Sequence, residues 1–318
     1  MNTNSTSSHF FYLAPIKGIT DRLFRTIYHN HFPYFDAAVA PFINPQRFAN
    51  FNEKLLADII PGESDNIEII PQLLYNTADD FINLGKHLED MGYSHINWNL
   101  GCPSPMVANK QRGSGLLPHS NRIVEMLEQI TSSLQAKVSL KMRLGFKSPE
   151  DICELLPRLD QFDLKEIIIH PRIGKQLYHG HADHEAFAGC RKLTRHRLVY
   201  NGDIRTKEDF TSLSKRFEGI DRWMIGRGAL ADPFLMAEIK NIASSPEERA
   251  LKLRNFHDDL YEQQRIRLSG PGHLLNRMKQ IWTYLIESFP GQEKMLKKIR
   301  KASSEEKYVQ VMEELFRS

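Results

Sequence analysis

Residues 137–170 decide the fold. Lys137-Val138-Ser139-Leu140-Lys141-Met142-Arg143 alternates apolar and polar side chains, Pro149–Phe162 carries a helical pattern, and Glu166-Ile167-Ile168-Ile169-His170 is again short and apolar. A strand, a helix and a second strand in that order make a parallel βαβ unit. The same rhythm extends to both sides. Candidate strands fall at Phe10–Ala14, Asp36–Ala40, Ile67–Leu73, His95–Leu100, Leu198–Asn201 and Arg222–Ile225, with helical patterns at Asp79–Met91, Asn121–Leu134 and Lys207–Phe217. Eight strands alternating with helices predict an α/β fold closed into a (β/α)8 (TIM) barrel. An open doubly wound sheet is the rival, but no Gly-x-Gly-x-x-Gly opens the first unit.

After Ala243 the rhythm stops. Ser245-Pro246-Glu247-Glu248 is a helix start, with Ser before a Pro at the first helical position and acids in the first turn. Beyond it the chain reads as helix, broken at Ser269-Gly270-Pro271-Gly272 and at Pro290-Gly291. Leu274, Leu275, Met278, Ile281, Trp282 and Leu285 form one apolar stripe. The expected organisation is a flexible N-terminus at residues 1–9, a barrel at 10–243 and a small all-α helical domain at 244–318.

Composition narrows the class. The chain has 318 residues, 41% of them hydrophobic and 25% charged, and its mean hydropathy is −0.44. No apolar run reaches the roughly 18–20 residues of a membrane span, and Met1–Ser8 has no secretory pattern. Three distant cysteines offer neither a disulfide framework nor a Cys-rich metal site. A cytoplasmic protein without membrane or metal is expected. The net charge is +3, from 42 Lys+Arg against 39 Asp+Glu. Residues 244–318 alone hold 14 Lys+Arg and 11 Asp+Glu, so the excess lies in the last quarter and points to a basic surface there.

A barrel's chemistry sits where strands end. Those ends carry Ala14-Pro15, Gln72, Asn99-Leu100-Gly101-Cys102-Pro103, Lys141 with Arg143, His170-Pro171-Arg172, Asn201-Gly202-Asp203 and Gly226-Arg227-Gly228. Polar groups recurring where a packed barrel wants Val or Ile cost stability unless paired, and together they mark a site. Glycines just past the last two strands, with Arg227, are suited to a phosphate, as on a phosphosugar or a flavin mononucleotide. Alternation puts Ser139, Lys141 and Arg143 on one face. An inward Lys141 needs an anion or a delocalised acceptor such as a flavin edge, and Gln72 offers an amide for a polar ring edge. His170 could equally be a structural histidine. Cys102 could be a nucleophile, an acid or a spectator, but no His–Asp pair stands beside it in the sequence.

These motifs resemble the tRNA-dihydrouridine synthase family. The match runs from Leu13-Ala14-Pro15 through Gln72, Asn99-Leu100-Gly101-Cys102-Pro103-Ser104, Lys141-Met142-Arg143-Leu144-Gly145 and His170-Pro171-Arg172 to Asn201-Gly202-Asp203-Ile204 and Met224-Ile225-Gly226-Arg227-Gly228. The tail Arg277-Met278-Lys279-Gln280-Ile281-Trp282-Thr283-Tyr284-Leu285 is most similar to the bacterial C-type subgroup. The resemblance implies an FMN-bound barrel, NADPH as reductant, tRNA as substrate and an enzyme that reduces a D-loop uridine, at the sixteenth position for the C type; a monomer is expected. It implies that Cys102 is the acid, that Asn99, Arg143 and Arg172 lie near the substrate, and that Arg277 and Lys279 meet tRNA phosphates. Ala14, Pro15, Ile16, Gln72, Lys141 and His170 would hold the flavin ring, and Asn201, Gly202, Asp203, Gly226 and Arg227 its phosphate end.

Three positions depart from the family pattern. Ile16 stands where Ala-Pro-Met is usual, no lysine follows Cys102-Pro103 until Lys110, and His-x-Arg-Thr becomes His170-Pro171-Arg172-Ile173. Two other functions compete. A flavin barrel reducing a small pyrimidine, similar to dihydroorotate dehydrogenases, would have no use for the basic tail. An RNA-binding relative without catalysis would not need Cys102, Lys141 and Arg227.

Overall fold

The computed structural model describes residues 9–43, 56–60 and 67–317; the N-terminal segment expected to be flexible lies, up to residue 8, outside the described residues. Nine parallel strands are present among them: β1 Phe10–Leu13, β2 Ala37–Val39, β3 Glu68–Ile70, β4 Gln72–Leu73, β5 His95–Leu100, β6 Lys137–Gly145, β7 Ile167–Ile173, β8 Leu198–Tyr200 and β9 Arg222–Ile225. Their order is β3-β2-β1-β9-β8-β7-β6-β5-β4. The two ends of this sheet are adjacent in the chain, separated by Pro71 alone. Proline has no N–H for the ladder, so one expected strand, Ile67–Leu73, is cut into β3 and β4. The Pro71 carbonyl still accepts from Asn97 N at 2.8 Å, and Ile43 N reaches the Gln72 carbonyl at 2.9 Å. The cylinder therefore closes across the proline, and the expected (β/α)8 barrel is the observed fold.

Side-chain alternation sorts each strand into an inner and an outer face. Tyr12, Ala14, Ala37, Val39, Ile70, Ile168, Val199 and Met224 form one buried apolar cluster inside the barrel. On β4, β5 and β6 the inner positions are polar instead: Gln72, Asn97 and Ser139 are fully buried. The outward set on β5, which is Ile96, Trp98 and Leu100, is also fully buried. Trp98 donates to the Tyr75 carbonyl at 3.0 Å and meets Phe81 edge-on. Below the apolar cluster, buried Glu166 accepts from Tyr12 OH at 3.0 Å and from Arg222 at 3.2 Å.

By Cα proximity the chain forms two compact units. One comprises the chain to Pro15, Asp36–Asp203 and Leu213–Ile225; the other comprises Ile16–Phe35, Ile204–Ser212 and the chain from Gly226 on. All nine strands belong to the first. Within the second unit, helix α1 (Arg22–His31) packs on α10 (Pro246–Arg267): Phe24, Tyr28 and the C-cap residue Phe32 meet Phe256. Helix α10 starts with the reciprocal cap that the sequence announces, Glu248 N–H to Ser245 Oγ at 3.2 Å and Ser245 N–H to Glu248 at 2.8 Å. Helices α11 (Pro271–Leu285), α12 (Glu293–Lys301) and α13 (Glu305–Arg317) follow, and the predicted apolar stripe of α11 is buried. Trp282 Nε1–H donates to Tyr308 OH at 2.8 Å, which also meets His257 Nε2 at 2.9 Å. No helix among the described residues is long and apolar enough to cross a membrane.

Candidate active site

The geometry begins at the end of β5. Asn99 Oδ1 accepts the backbone N–H groups of Gly101 and Cys102 at 3.0 and 2.9 Å, so the chain leaves the strand in a tight turn that presents Cys102. The Cys102 carbonyl accepts from Ser114 N–H at 3.1 Å and from Ser114 Oγ–H at 3.0 Å. Gly113 makes that approach possible: its φ is +55°, and a Cβ there would sit 2.7 Å from the Cys102 carbonyl oxygen. Cys102 is half-buried.

Lys141 stands opposite Asn99 in the β5–β6 register. Burial, with help from Arg143, lowers its ammonium to about 7, against the opposing pull of Cys102. Arg143, two residues on and on the same face, is buried; it donates to the Ile173 carbonyl at 2.9 Å and lies 5.2 Å from the Tyr178 ring centre. Burial, and Arg172 more weakly, bring its guanidinium down to about 10.

On β7, Arg172 Nη1 and His170 Nε2 are 2.9 Å apart. A guanidinium only donates, so His170 Nε2 is the acceptor and the neutral ring carries its proton on Nδ1. Arg172 is otherwise occupied: it pairs with Asp203 at 2.6 Å and donates to the carbonyls of Gly180 at 2.7 Å and His179 at 3.3 Å. Asp203, at φ +40°, also accepts from Ala182 N–H at 2.8 Å. Asn201 is buried and donates to the Met224 carbonyl at 2.8 Å; Gly202 follows it. Ala14 ends β1, its N–H on the Ile225 carbonyl at 2.8 Å, and Pro15 is next.

The first unit thus gathers Ala14, Pro15, Gln72, Asn99, Cys102, Lys141, Arg143, His170, Arg172, Asn201, Gly202 and Asp203 at consecutive strand ends. The remaining predicted residues belong to the second unit. Ile16 N–H donates to Thr20 Oγ1 at 2.8 Å. Gly226 caps a short helix, Arg227–Ala231. Gly228 in it is needed for packing, since a Cβ there would lie 2.1 Å from the Ile204 carbonyl oxygen. Arg277 is 11% exposed, paired with Asp21 at 2.6 Å and bonded to the carbonyls of Gly18 and Ile19. Lys279 donates to the Ala302 carbonyl at 2.5 Å.

Sequence reasoning missed His95, Asn97 and Tyr178. The signal for the first two was present: His95, Asn97 and Asn99 recur at period two on the face shared with Ser139. Tyr178 lies in a loop whose sequence carries no such pattern.

Ionisable and amide side chains around a half-buried cysteine, all at the ends of parallel barrel strands, define a (β/α)8 barrel enzyme. Comparison with known proteins makes this particular. The family model described as dihydrouridine synthase (Dus) matches residues 12–318, and the chain belongs to that oxidoreductase family. Its relatives include the probable tRNA-dihydrouridine synthase 2 of Bacillus subtilis (strain 168), 27% identical over 282 residues, 86% of this chain and 84% of the relative. The tRNA-dihydrouridine synthase B of Proteus vulgaris is 27% identical over 241 residues, 74% of this chain and 72% of its own. Among solved structures, a morphinone reductase in complex with tetrahydroNAD aligns with a TM-score of 0.51 at 11% identity over 76% of this chain and 90% of that one. That likeness is one of fold.

Proposed function

We propose that this protein reduces a uridine of tRNA to 5,6-dihydrouridine, with Cys102 as the acid. Family membership supports the reaction, and one observation carries the residue assignment: Cys102 is held by its backbone at a strand end within the electrostatic reach of Lys141. The cofactor is a flavin, and we propose FMN reduced by NADPH. The residues present fit it. The Lys141 ammonium on β6 and the Nδ1–H of His170 on β7 are hydrogen-bond donors on neighbouring strands, and Gln72 on β4, with one amide hydrogen given to Asn97, offers its second; together they match the carbonyl and ring-nitrogen acceptors of an isoalloxazine edge. A cation whose pKa is depressed by burial and by a second cation is relieved by such an acceptor. Ala14 and Pro15 would line the ring, with Asn201, Gly202 and Asp203 toward the phosphate. When bound, the flavin supplies the hydride for uracil C6.

This chain's own residues do the rest. Cys102 delivers the proton to C5, which completes reduction of the C5–C6 double bond. The Asn99 carbonyl oxygen already accepts two N–H groups, so toward a base it offers its second amide hydrogen, a donor for a uracil carbonyl. Arg143 lies beside Cys102 and supports the substrate end. Arg172 acts by fixing His170 and Asp203. A uridine folded into tRNA must swing out to reach a barrel mouth.

Residues 244–318 would grip the tRNA. Arg277 and Lys279 are expected at phosphates by resemblance, yet both have acceptors within the fold. We place the phosphate contacts first on the exposed Lys294, Lys297 and Lys301 of α12, whose opposite face buries Met295 and Ile299. The similarity of Arg277–Leu285 to the C-type tail supports the sixteenth position as target. A cytoplasmic site of action follows from the tRNA substrate. In the test, NADPH bleaches the protein-bound flavin anaerobically and unmodified tRNA restores its colour. Recovery with a free pyrimidine and none with tRNA would instead indicate a small-molecule reductase.

A further inference from the structure

Behind Gln72 and Asn99, the polar side chains of the barrel interior continue into residues that the mechanism does not use. The register sets Gln72 beside Asn97 and Asn97 beside Ser139 on three adjacent strands. All three are fully buried, and their side chains are linked into a line. Asn99 Nδ2 donates to Gln72 Oε1 at 2.8 Å, and Gln72 Nε2 donates to Asn97 Oδ1 at 2.7 Å. Asn97 Nδ2 donates to Ser139 Oγ at 2.8 Å, and Ser139 Oγ lies 2.7 Å from His95 Nε2. At its other end, Asn99 Oδ1 holds the N–H groups of Gly101 and Cys102.

The direction of every bond in this line follows from its first member. A backbone N–H can only donate, so Asn99 must turn its oxygen toward Cys102 and its amide toward Gln72. Gln72 must then present its oxygen to Asn99 and its amide to Asn97, and Asn97 must repeat the choice toward Ser139. Ser139, already accepting, is free to donate its hydroxyl hydrogen to a neutral His95 Nε2. A buried line in which each amide has one acceptable orientation costs little while complete and much when cut, because an unmade bond cannot be replaced by water there.

We propose that the line from His95 through Ser139, Asn97, Gln72 and Asn99 sets the position of Cys102, with Asn97 as its central positioning residue. This rests on the reading of Cys102 as the acid. Asn97 touches no reacting atom. It keeps Gln72 from turning over, and so keeps Asn99 clamped on the turn that carries the thiol.

The experiment follows backbone amide hydrogen exchange of Gly101 and Cys102 by mass spectrometry in the full chain, independently of turnover. Asn97→Leu, which cuts the line while filling its space, is expected to speed exchange at these two groups at least tenfold. Asn97→Asp is expected to restore protection, because a carboxyl group still accepts from Gln72 and still bonds to Ser139, whose hydroxyl can turn. In an Asn99→Ala background, Asn97→Leu should add nothing, since its effect passes through Asn99. Where tRNA reduction is measured, kcat should fall at least tenfold in Asn97→Leu with the KM for tRNA within twofold. If Asn97→Leu does not fold, Ser139→Ala cuts the next link and should speed the same exchange. Unchanged exchange in a folded variant, or an added effect without Asn99, would overturn the proposal. An unaltered chain that makes no dihydrouridine yet shows the exchange pattern would overturn the functional reading instead, leaving the line intact.

Discussion

Lys141 is the residue whose surroundings make the sharpest demand. In the flavin-free protein, burial and Arg143 leave it about half protonated near pH 7. A ligand that offers it an acceptor favours the ammonium form and raises its pKa. Below about pH 7 the proton is already present and flavin binding takes up none. Above it, binding must draw a proton from solution, so affinity weakens by up to about tenfold per pH unit. Flavin titrations between pH 7 and 9 should show this weakening, and Lys141→Met should abolish it along with much of the affinity. A pH-independent dissociation constant in the unaltered chain would mean that Lys141 does not meet the flavin. The inward face of β6 was legible from the alternation of Ser139, Lys141 and Arg143. The pairing of Arg172 with Asp203, by contrast, depends on where β7 and the loop after β8 meet, and no spacing in the sequence encodes that.

At the scale of elements, the strands were readable because their inner and outer faces obey different rules. Outer positions such as Ile96, Trp98 and Leu100 are uniformly apolar, while inner ones turn polar only on β4–β6 and at the strand ends. The break at Pro71 and the continuation of β7 through Pro171 to Ile173 were not readable, because a proline's effect depends on which neighbour would have taken its missing hydrogen bond. The helical tail was readable from its caps and stripe. Its central contact, Trp282 on Tyr308 and through it His257, joins three helices. Trp282 is completely buried. Trp282→Ala should therefore destabilise the protein by about 3–5 kcal/mol in urea denaturation, as large aromatic deletions in cores do. A loss below ~1 kcal/mol would mean that the indole is not an organising contact of these helices.

For the whole molecule, the division of charge expected from the sequence has a concrete location. The cations of α12 extend from a helix whose apolar side is buried, whereas Arg277 is spent on Asp21 and the carbonyls of Gly18 and Ile19. Lys297→Glu together with Lys301→Glu should weaken tRNA binding and lower the slope of log affinity against log salt by about 1–2, as loss of two phosphate contacts requires. Arg277→Gln should leave that slope unchanged. The opposite pattern would return the RNA contacts to Arg277.

The central claim, uridine reduction with Cys102 as the acid, is tested most directly by incubating the flavin-loaded protein with NADPH and unmodified tRNA and weighing the digested nucleosides. The account predicts one dihydrouridine per tRNA from the unaltered chain and none from a Cys102→Ala variant that retains its flavin. Full product from Cys102→Ala, or none from an unaltered protein that oxidises NADPH, would contradict it.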